Sequence, residues 1–528
     1  MPRFVRNARA ALVSLCLGLA TVAAAEGLPS PWMTALPAGQ PNEIDAIVSK
    51  ALAASGRTLL PSVPDELFLR RVHLDLLGTP PTVAEQDAFL ADTAPDKRAR
   101  LVEALFSRPE FADYLALKWG DILRIKSEYP SNLWPNAVQA YHQWIREAMR
   151  TNLPYDRFAR ELLTASGSNV REPQVNFFRA MPVRDPESIA KAVAVTFLGR
   201  RLESFAPAGV EDFKRFFARL SYKRTMEWKE EIVHFNPLGP GFPASGETAN
   251  VAYRFPDGSA IEAPAALDPR ALFADWLVAP GNPFFARTAA NRVWAWLMGS
   301  GIYRPVDGGG PGNPGDCPEL LDLLARRLVE SGYDLRALFR LVLLSRCYAQ
   351  TALGPAEPAF ARYAVRRLDA EVLADALGRA AGAGGRYVSP IPEPFTFVPE
   401  ENRSIALPDG SVTSAFLVKF GRPARDSGLE AERNNEVGVD QKLYLLNSTA
   451  LRQRIDRGPL LAEVLERAKT DGDGALRHLY RSLLGRAPTA AERETAKAHL
   501  RKKAGNPRQA YGDLVWALVN GAEFLFRH

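Results

Sequence analysis

The chain has 528 residues, of which 47% are hydrophobic and 24% are charged, and its formal net charge is +6. This composition is typical of an ordinary folded protein, and the length predicts more than one domain. So small a charge on so long a chain argues against a nucleic-acid-binding protein, which normally has a clustered basic face.

The first 25 residues predict a secretory signal peptide. Three arginines precede an apolar run at residues 10–23, which ends in small residues before Glu26. The alternative, a membrane anchor, needs about 20 apolar residues, whereas this run is shorter and contains polar interruptions. Cleavage near Ala25 would remove three arginines and lower the formal charge from +6 to +3. We therefore expect a periplasmic or secreted protein without a membrane span once the signal is removed.

The rest of the chain is predicted to be mainly α-helical, a multi-helical two-domain protein with small hairpin or irregular insertions. Helix caps and apolar periodicity recur along most of it. Val251, Tyr253 and Phe255 alternate before Asp257-Gly258, which predicts a β-hairpin. The predicted division is a leader with a first helix at 26–60, an N-terminal helical domain at 61–225, a Gly/Pro-rich linker with the hairpin at 226–266, and a C-terminal helical domain at 267–528.

One helical unit occurs twice in the sequence. Residues 76–111 and residues 483–524 share Leu-Leu-Gly, Pro-Thr-x-x-Glu, Leu-Val-x-Ala-Leu and Glu-Phe in the same order. In each copy a glycine ends one helix, and a threonine and a glutamate form the capping box of the next. These residues are Gly78, Thr82 and Glu85 in the first copy, and Gly485, Thr489 and Glu492 in the second. They indicate how the chain folds, not what chemistry it performs.

Sharp catalytic or metal-binding motifs are absent from the sequence. None of the six histidines forms an H-x-x-x-H or H-x-x-E pair, the Gly-rich stretch 307–312 lacks the lysine of a phosphate loop, and no G-x-S-x-G occurs. Cys317 and Cys347 match no zinc spacing. A disulfide between them and two buried free thiols both remain open. We predict no cofactor and no metal.

The best candidate for ligand binding follows residue 281, where arginines lie among aromatic residues. Arginines in such surroundings form bidentate anion sites, and tryptophans stack on sugar rings. The alternative is helix-to-helix ion pairing beneath a tryptophan core. An open cleft would favour the ligand site, and burial under Trp294 and Trp296 would favour the alternative. The candidate residues are Arg287, Asn291, Arg292, Trp294 and Asp307.

Long, ordered strings of the sequence resemble two known families. LFLRRVHLDLLGTPPTVAEQDAFLAD, NLPYDRFARELL and VAVTFLG resemble the planctomycete-type secreted, cytochrome-associated domain. DPRALFADWLVAPGNPFFARTAANRVWAWLMGSGIYRPVD, PELLDLLARRLVESGYDLRALFRLVLLSRCYAQ and FGRPARD resemble the planctomycete-type secreted domain that usually follows it. Both families are of unknown function, occur in secreted proteins and are often coupled to a cytochrome c module.

The resemblance implies a haem attachment site that this chain lacks. Many relatives have Cys-x-x-Cys-His after Phe-Leu-Gly, where this chain has Ser204, Pro207 and Ala208. Cys317 stands where relatives have a histidine, and Leu-Glu-Ala-Glu-Arg at 429–433 stands where they have Cys-x-Cys-Glu-Arg. We therefore interpret the chain as a haem-less member, for which electron transfer would need haem or copper held in another way.

Our leading hypothesis is a cofactor-free helical protein that binds a partner protein or an extracellular polysaccharide. The resemblance implies a secreted sulfatase-like protein as a partner, since relatives occur beside one. The second repeat copy is also similar to helical modules of extracellular adhesion and surface-layer proteins. The alternative is a hydrolase or lyase acting on an extracellular polymer, with its site at the domain junction around Arg287, Asn291, Arg292 and Asp307. A role without catalysis is preferred.

Overall fold

Helices form most of the protein, which confirms the predicted mainly α-helical class. The computed structural model describes residues 42–240, 249–310, 312–353, 360, 362–382, 386–392, 395–399 and 401–528. These ranges contain 24 helices and seven short strands. None of the described helices is both long and apolar enough to cross a membrane. The predicted signal peptide, residues 1–25, lies outside the described residues, and secretion stays a prediction.

The helices are short and follow one another closely, as the frequent cap signals predict. The first half of the chain contains α1 Glu43–Ala53, α2 Asp65–Leu77, α3 Val83–Ala91, α4 Lys97–Phe106, α5 Pro109–Ile122, α6 Pro135–Arg150, α7 Tyr155–Thr164, α8 Asn176–Arg179, α9 Pro186–Val193 and α10 Pro207–Arg215. The second half contains α11 Pro269–Val278, α12 Phe285–Met298, α13 Pro318–Glu330, α14 Leu335–Leu343, α15 Arg346–Ala349, α16 Ala370–Ala381, α17 Ala415–Lys419, α18 Val439–Asn447, α19 Thr449–Arg457, α20 Pro459–Ala468, α21 Gly472–Leu484, α22 Ala490–Lys502, α23 Pro507–Val519 and α24 Ala522–Leu525.

Three small antiparallel sheets interrupt the helices. Strand β3 (Glu231–Phe235) pairs with both β1 (Gly167–Ser168) and β2 (Leu220–Arg224). Strands β4 (Asn250–Arg254) and β5 (Ala260–Pro264) form the predicted hairpin, in which Val251 lies opposite Ala263. Strands β6 (Arg366–Arg367) and β7 (Phe526–Arg527) pair over a long sequence distance. The sequence did not predict β2, since its apolar residues are too few to distinguish it from a helix end.

Two apolar cores hold the elements together. The first core includes residues from Ile44 to Tyr363, and the second includes residues from Leu368 to Phe524 together with Leu74, Tyr114 and Leu117. The helices before and after the predicted linker at 226–266 therefore share one core. The predicted division into domains stays a prediction, but apolar burial divides the chain near residue 365.

The duplicated unit forms matching structures in its two copies. Helix α2 ends at Gly78 with φ +59°, and α21 ends at Gly485 with φ +78°. Both predicted capping boxes are present, at the starts of α3 and α22. Helix α2, which leads into the first copy, also contacts the second copy, because Arg70 Nη1 donates to the Leu483 carbonyl at 3.0 Å.

A buried network of charges joins the two cores. The carboxylate of Asp369, just before α16, accepts hydrogen bonds from Tyr114 Oη at 2.6 Å, Lys118 Nζ at 3.0 Å and Arg527 Nη2 at 3.0 Å. Asp75 on α2 also accepts from Arg527, at 2.7 Å. Burial acts to raise the pKa of Asp369, but Lys118 and Arg527 outweigh it and hold that pKa well below its usual range.

We expect Asp369→Asn to destabilise the protein by about 3–5 kcal/mol, because the substitution leaves buried cations without a compensating charge. Urea denaturation followed by circular dichroism measures the change. The matched control is Glu466→Gln, which removes an exposed carboxylate paired with Lys469 and should cost at most about 1 kcal/mol. Equal effects of the two substitutions would contradict the structural role of the network.

Candidate functional site

Arg292 and Asp307, the centre of the predicted site, form a buried ion pair. Their side chains lie 3.1 Å apart and are 1% and 3% exposed. Arg292 Nη1 also donates to the Thr196 carbonyl at 2.9 Å, and Asp307 Oδ2 accepts from the Glu430 amide at 2.7 Å. Burial alone would lower the pKa of Arg292, but Asp307 raises it above its ordinary value. The pair therefore connects three segments of the interior.

The other predicted residues support the same interior structure. Asn291 Oδ1 accepts from the amides of Ile302 and Tyr303 at 2.7 and 3.1 Å, which holds the turn after α12. Trp294 is fully buried. Arg287 is partly exposed and pairs with Asp322 on α13. This geometry matches the alternative of ion pairing beneath a tryptophan core, and ligand binding by these residues stays a prediction.

Two of the segments that depart from the pattern of relatives contact the loop after α12. The Gly309 amide donates to the Gly199 carbonyl at 2.8 Å, and Arg200, next along the chain, donates to the Ser204 carbonyl at 3.3 Å. Pro207 and Ala208 begin α10. The segment 429–433 reaches the same loop through the bond between Glu430 and Asp307. Loss of haem at these positions stays a prediction.

Metal-binding geometry is absent from the part of the chain that the structure describes. No group of three or more histidine, cysteine, aspartate or glutamate side chains there is arranged to hold a metal ion. Cys317 and Cys347 are buried and free, and burial raises the pKa of both thiols. The sequence left a disulfide and two free thiols open, and the structure has two free thiols.

An open cleft of about 420 Å³ lies elsewhere, between the first copy of the duplicated unit and α16. We call it the junction cleft. Its walls carry arginine and carboxylate side chains from segments that are about 300 residues apart in the sequence. Its lining residues are Thr79, Pro80, Thr82, Glu85, Arg108, Glu110, Ala374, Asp375, Gly378, Arg379, Glu401, Asn402 and Arg403.

One wall of the junction cleft is a Glu–Arg–Glu triad in the first copy of the unit. Arg108 Nη2 lies 2.6 Å from Glu110 Oε1, and Arg108 Nη1 donates to Glu85. Burial opposes the ionised form of Glu85, but its cap contacts with Thr82 and the charge of Arg108 hold the pKa of Glu85 below its usual value. Both glutamates therefore pair with one arginine of their own copy, and the triad keeps one net negative charge.

The second copy contains the same triad with its arginine in a different place. Arg486 lies 2.8 Å from Glu492 and 2.6 Å from Glu523. In the repeat, these glutamates correspond to Glu85 and Glu110. Arg486, however, follows Gly485, at the position that Thr79 occupies in the first copy. The short threonine therefore leaves open in the first copy a region that a long side chain fills in the second.

Arg379 of α16 faces this opening from the other side. Its guanidinium donates to the Thr79 hydroxyl at 3.4 Å and to the Pro80 carbonyl. Among the described residues, no carboxylate lies within ion-pair distance of Arg379, whose side chain is exposed. Burial of part of the side chain lowers its pKa, but an arginine remains charged at neutral pH. The charge of Glu85 acts to raise that pKa, and the lining holds four carboxyl groups against three guanidinium groups. What distinguishes Arg379 is that none of these carboxyl groups contacts it directly.

Asp375 and Arg403 form the floor of the cleft beside Arg379. Asp375 accepts hydrogen bonds from the amides of Ser404 and Ile405 at 2.7 and 3.2 Å. Burial raises the pKa of Asp375 to about 6, although both amides and Arg403 act against that rise. Arg403 lies 4.0 Å from Asp375 and 3.8 Å from Glu110, and its Nη2 atom is buried without a hydrogen-bond partner.

Sequence reasoning missed the junction cleft, although one signal for it was visible. The aligned copies differ at Thr79 and Arg486, directly beside the otherwise shared Leu-Leu-Gly and Pro-Thr strings. A charged residue in one copy and a short neutral one in the other marks a place where the two units have different contacts. The identity of the facing helix could not be read from that difference.

Two family models match the chain, in the order that the resemblance predicts. PSCyt2, a protein of unknown function (DUF1549), matches residues 43–206, and PSD1, a protein of unknown function (DUF1553), matches residues 269–500. Neither a curated protein nor a solved structure matches the chain. The junction cleft takes one wall from each matched segment, so it lies between the two family units.

Asp375 should make the stability of the protein depend on pH between about 4 and 6. The folded protein holds this proton more tightly than the unfolded chain, because the pKa rises from 3.8 to about 6 on folding. The stabilisation from this group is therefore complete below pH 4 and is lost as pH rises through 6. Urea denaturation at pH 4.5 and pH 6.5 should show a smaller decrease for Asp375→Asn than for the wild-type protein. An unchanged pH profile in the variant would contradict the raised pKa.

Proposed function

The chain belongs to the family in which a PSCyt2 unit is followed by a PSD1 unit, and we propose that it is a secreted, cofactor-free protein that binds an acidic extracellular polysaccharide. The single observation that carries this proposal is the junction cleft, in which the guanidinium of Arg379 has no carboxylate at ion-pair distance among the described residues. Carboxylate and sulfate groups are the natural partners of such a guanidinium, because its planar fork matches two anionic oxygens.

The cleft supports a bound anion in three ways. Arg379 and Arg403 approach it from one side, and the triad of Arg108 provides a fixed opposite wall. The buried Nη2 atom of Arg403 has no hydrogen-bond acceptor among the described residues, and an anionic oxygen would provide one. An open cleft also accepts one acidic group of a long chain while the remainder of the polymer stays outside.

Substitution of Arg379 by glutamine should weaken binding of chondroitin sulfate or polygalacturonate about tenfold or more. A hydrogen bond to a charged group contributes about 1.5–3 kcal/mol, and the substitution removes both the charge and the planar fork. Isothermal titration calorimetry at fixed ionic strength measures the affinity, with neutral dextran as the reference polymer. Arg379→Lys should retain part of the affinity, because it keeps the charge.

The matched control is Arg326→Gln on α13, where an exposed arginine pairs with Glu330 four residues later. This substitution changes the net charge by the same amount away from the cleft. Equal losses in the two glutamine variants would show that overall charge governs binding and would overturn the site. A wild-type protein that binds neither acidic polymer but captures a secreted protein would favour the partner-protein alternative.

A hydrolase or lyase at the same cleft is the second candidate, and Asp375 is the observation in its favour. A carboxyl group whose pKa is near 6 and which lines an open cleft suits a general acid or base. Asp375 also accepts two backbone amides beside the turn 404–406, which gives it a structural role. The proposed binding function therefore ranks first.

Polymer length distinguishes the two candidates. Chondroitin sulfate and polygalacturonate should keep their chain length after incubation with the wild-type protein, as measured by size-exclusion chromatography. Shortened chains that reappear at full length with Asp375→Asn would establish catalysis and overturn the proposal of a binding protein. The same variant should still bind the polymer, since it retains Arg379.

A further inference from the structure

Aromatic side chains from three separate segments meet on the surface of the protein. Trp134 precedes α6, Trp228 and Lys229 lie in the turn between β2 and β3, and Phe395 lies in the segment 395–399. The Trp228 residue is 71% exposed and Phe395 is 50% exposed. Single exposed apolar residues are ordinary, but a cluster of large aromatic ones marks an interaction site. We call these four residues the aromatic face.

The rings of the aromatic face hold one another in fixed positions. The centroids of Trp134 and Trp228 are 6.2 Å apart with their planes at 81°, and those of Trp134 and Phe395 are 5.7 Å apart. Lys229 Nζ lies 5.0 Å from the ring centroid of Trp134 and 5.3 Å from that of Trp228. Although Trp134 and Lys229 both contact Trp228, most of its surface remains exposed to solvent.

The backbone adopts costly conformations to present this face. Trp134 has φ +71° and ψ +148°, a region that side chains with a Cβ rarely enter, and Lys229 has φ +59°. Each such residue costs about 1–3 kcal/mol and persists only where the surrounding structure holds it. Strain of this kind is concentrated at functional sites. Together with the exposure of the rings, it therefore indicates a functional role for the aromatic face.

The exposed charges beside the aromatic face are mainly positive. Residues 223–231 contain three basic and three acidic residues, but Glu230 and Glu231 are largely buried and bonded to Ser168 and Arg179. The exposed charged residues are Lys223, Arg224, Glu227 and Lys229. Lys223 and Arg224 are exposed at the end of β2. An exposed indole beside basic side chains is complementary to a sugar ring that carries an acidic group.

We propose that the aromatic face is a second subsite for the same acidic polysaccharide, in which a sugar ring stacks on Trp228 and its acidic group lies near Lys229. This inference rests on the proposed function and names a second place where the polymer contacts the protein. A flat indole surface offers contact to the C–H face of a sugar, and the ammonium group offers a partner for its carboxylate or sulfate.

The two subsites lie on one segment of the chain. Phe395 of the aromatic face and Arg403 of the junction cleft are eight residues apart, so they are at most about 29 Å apart. A polymer chain longer than this distance is long enough to reach from one subsite to the other. Occupation of both raises the overall affinity, because the second contact becomes intramolecular once the first has formed.

The test combines footprinting with substitution in the full chain. Hydroxyl-radical oxidation of Trp228, resolved from that of the neighbouring Met226 by tandem mass spectrometry, should fall about threefold in the presence of chondroitin sulfate or polygalacturonate, and dextran should leave it unchanged. Calorimetry should show about fivefold weaker binding for Trp228→Ala, since aromatic contacts contribute about 0.5–1.5 kcal/mol. Trp228→Phe, which keeps a flat ring, should retain most of the affinity. Met226→Ala, in the same exposed turn, should bind as the wild-type protein does.

The outcomes separate this inference from the proposed function. Binding that Arg379→Gln weakens but Trp228→Ala does not, with unchanged oxidation of Trp228, would overturn the aromatic face alone. Protection of Trp228 by dextran to the same degree would overturn its preference for acidic sugars. Binding of neither acidic polymer by the wild-type protein would overturn the proposed function, and the subsite with it.

Discussion

The structure depends on a buried set of carboxylates and cations that lies between its two cores. Asp369 is the centre of this set, because it accepts hydrogen bonds from Lys118 and Arg527 and from the Tyr114 hydroxyl. A charge in the interior is costly unless its partners are in place. The segments that carry these residues therefore hold one another in position. If one segment shifts, a buried charge on a neighbouring segment loses its partner.

This constraint extends from Asp369 to the junction cleft. Helix α16 begins directly after Asp369, and Glu371 in its first turn pairs with Arg433 at 2.7 Å. The start of the helix is thus fixed by ion pairs. Asp375 and Arg379 follow one and two turns later, and they face the first copy of the duplicated unit. The same buried charges that join the cores therefore also hold the start of the helix that forms one wall of the cleft.

Local signals in the sequence predicted local structure well. The capping boxes at Thr82 and Thr489 and the hairpin at 250–264 depend on residues that are near each other in the chain, and the structure confirms them. The repeat, too, is visible as a string of shared residues. These features need no knowledge of how distant segments pack.

The site could not be predicted in the same way, because its walls come from distant segments. Arg379 and Thr79 are 300 residues apart, and no periodicity relates them. The sequence indicated Arg292 and Asp307 as candidates because they are charged residues among aromatic ones. In the structure, Asp307 accepts from the amide of Glu430, 123 residues later, and sequence patterns carry no information about that contact.

The pairing of Arg527 has a consequence for the order in which the protein folds. Arg527 lies 452 residues after Asp75 and 158 residues after Asp369, and it donates to both carboxylates. Until Arg527 is synthesised, each of these buried acids lacks one of its cations. Contacts between such distant residues form slowly, since a large loop must close first. The two cores therefore cannot lock together before Arg527 has been synthesised.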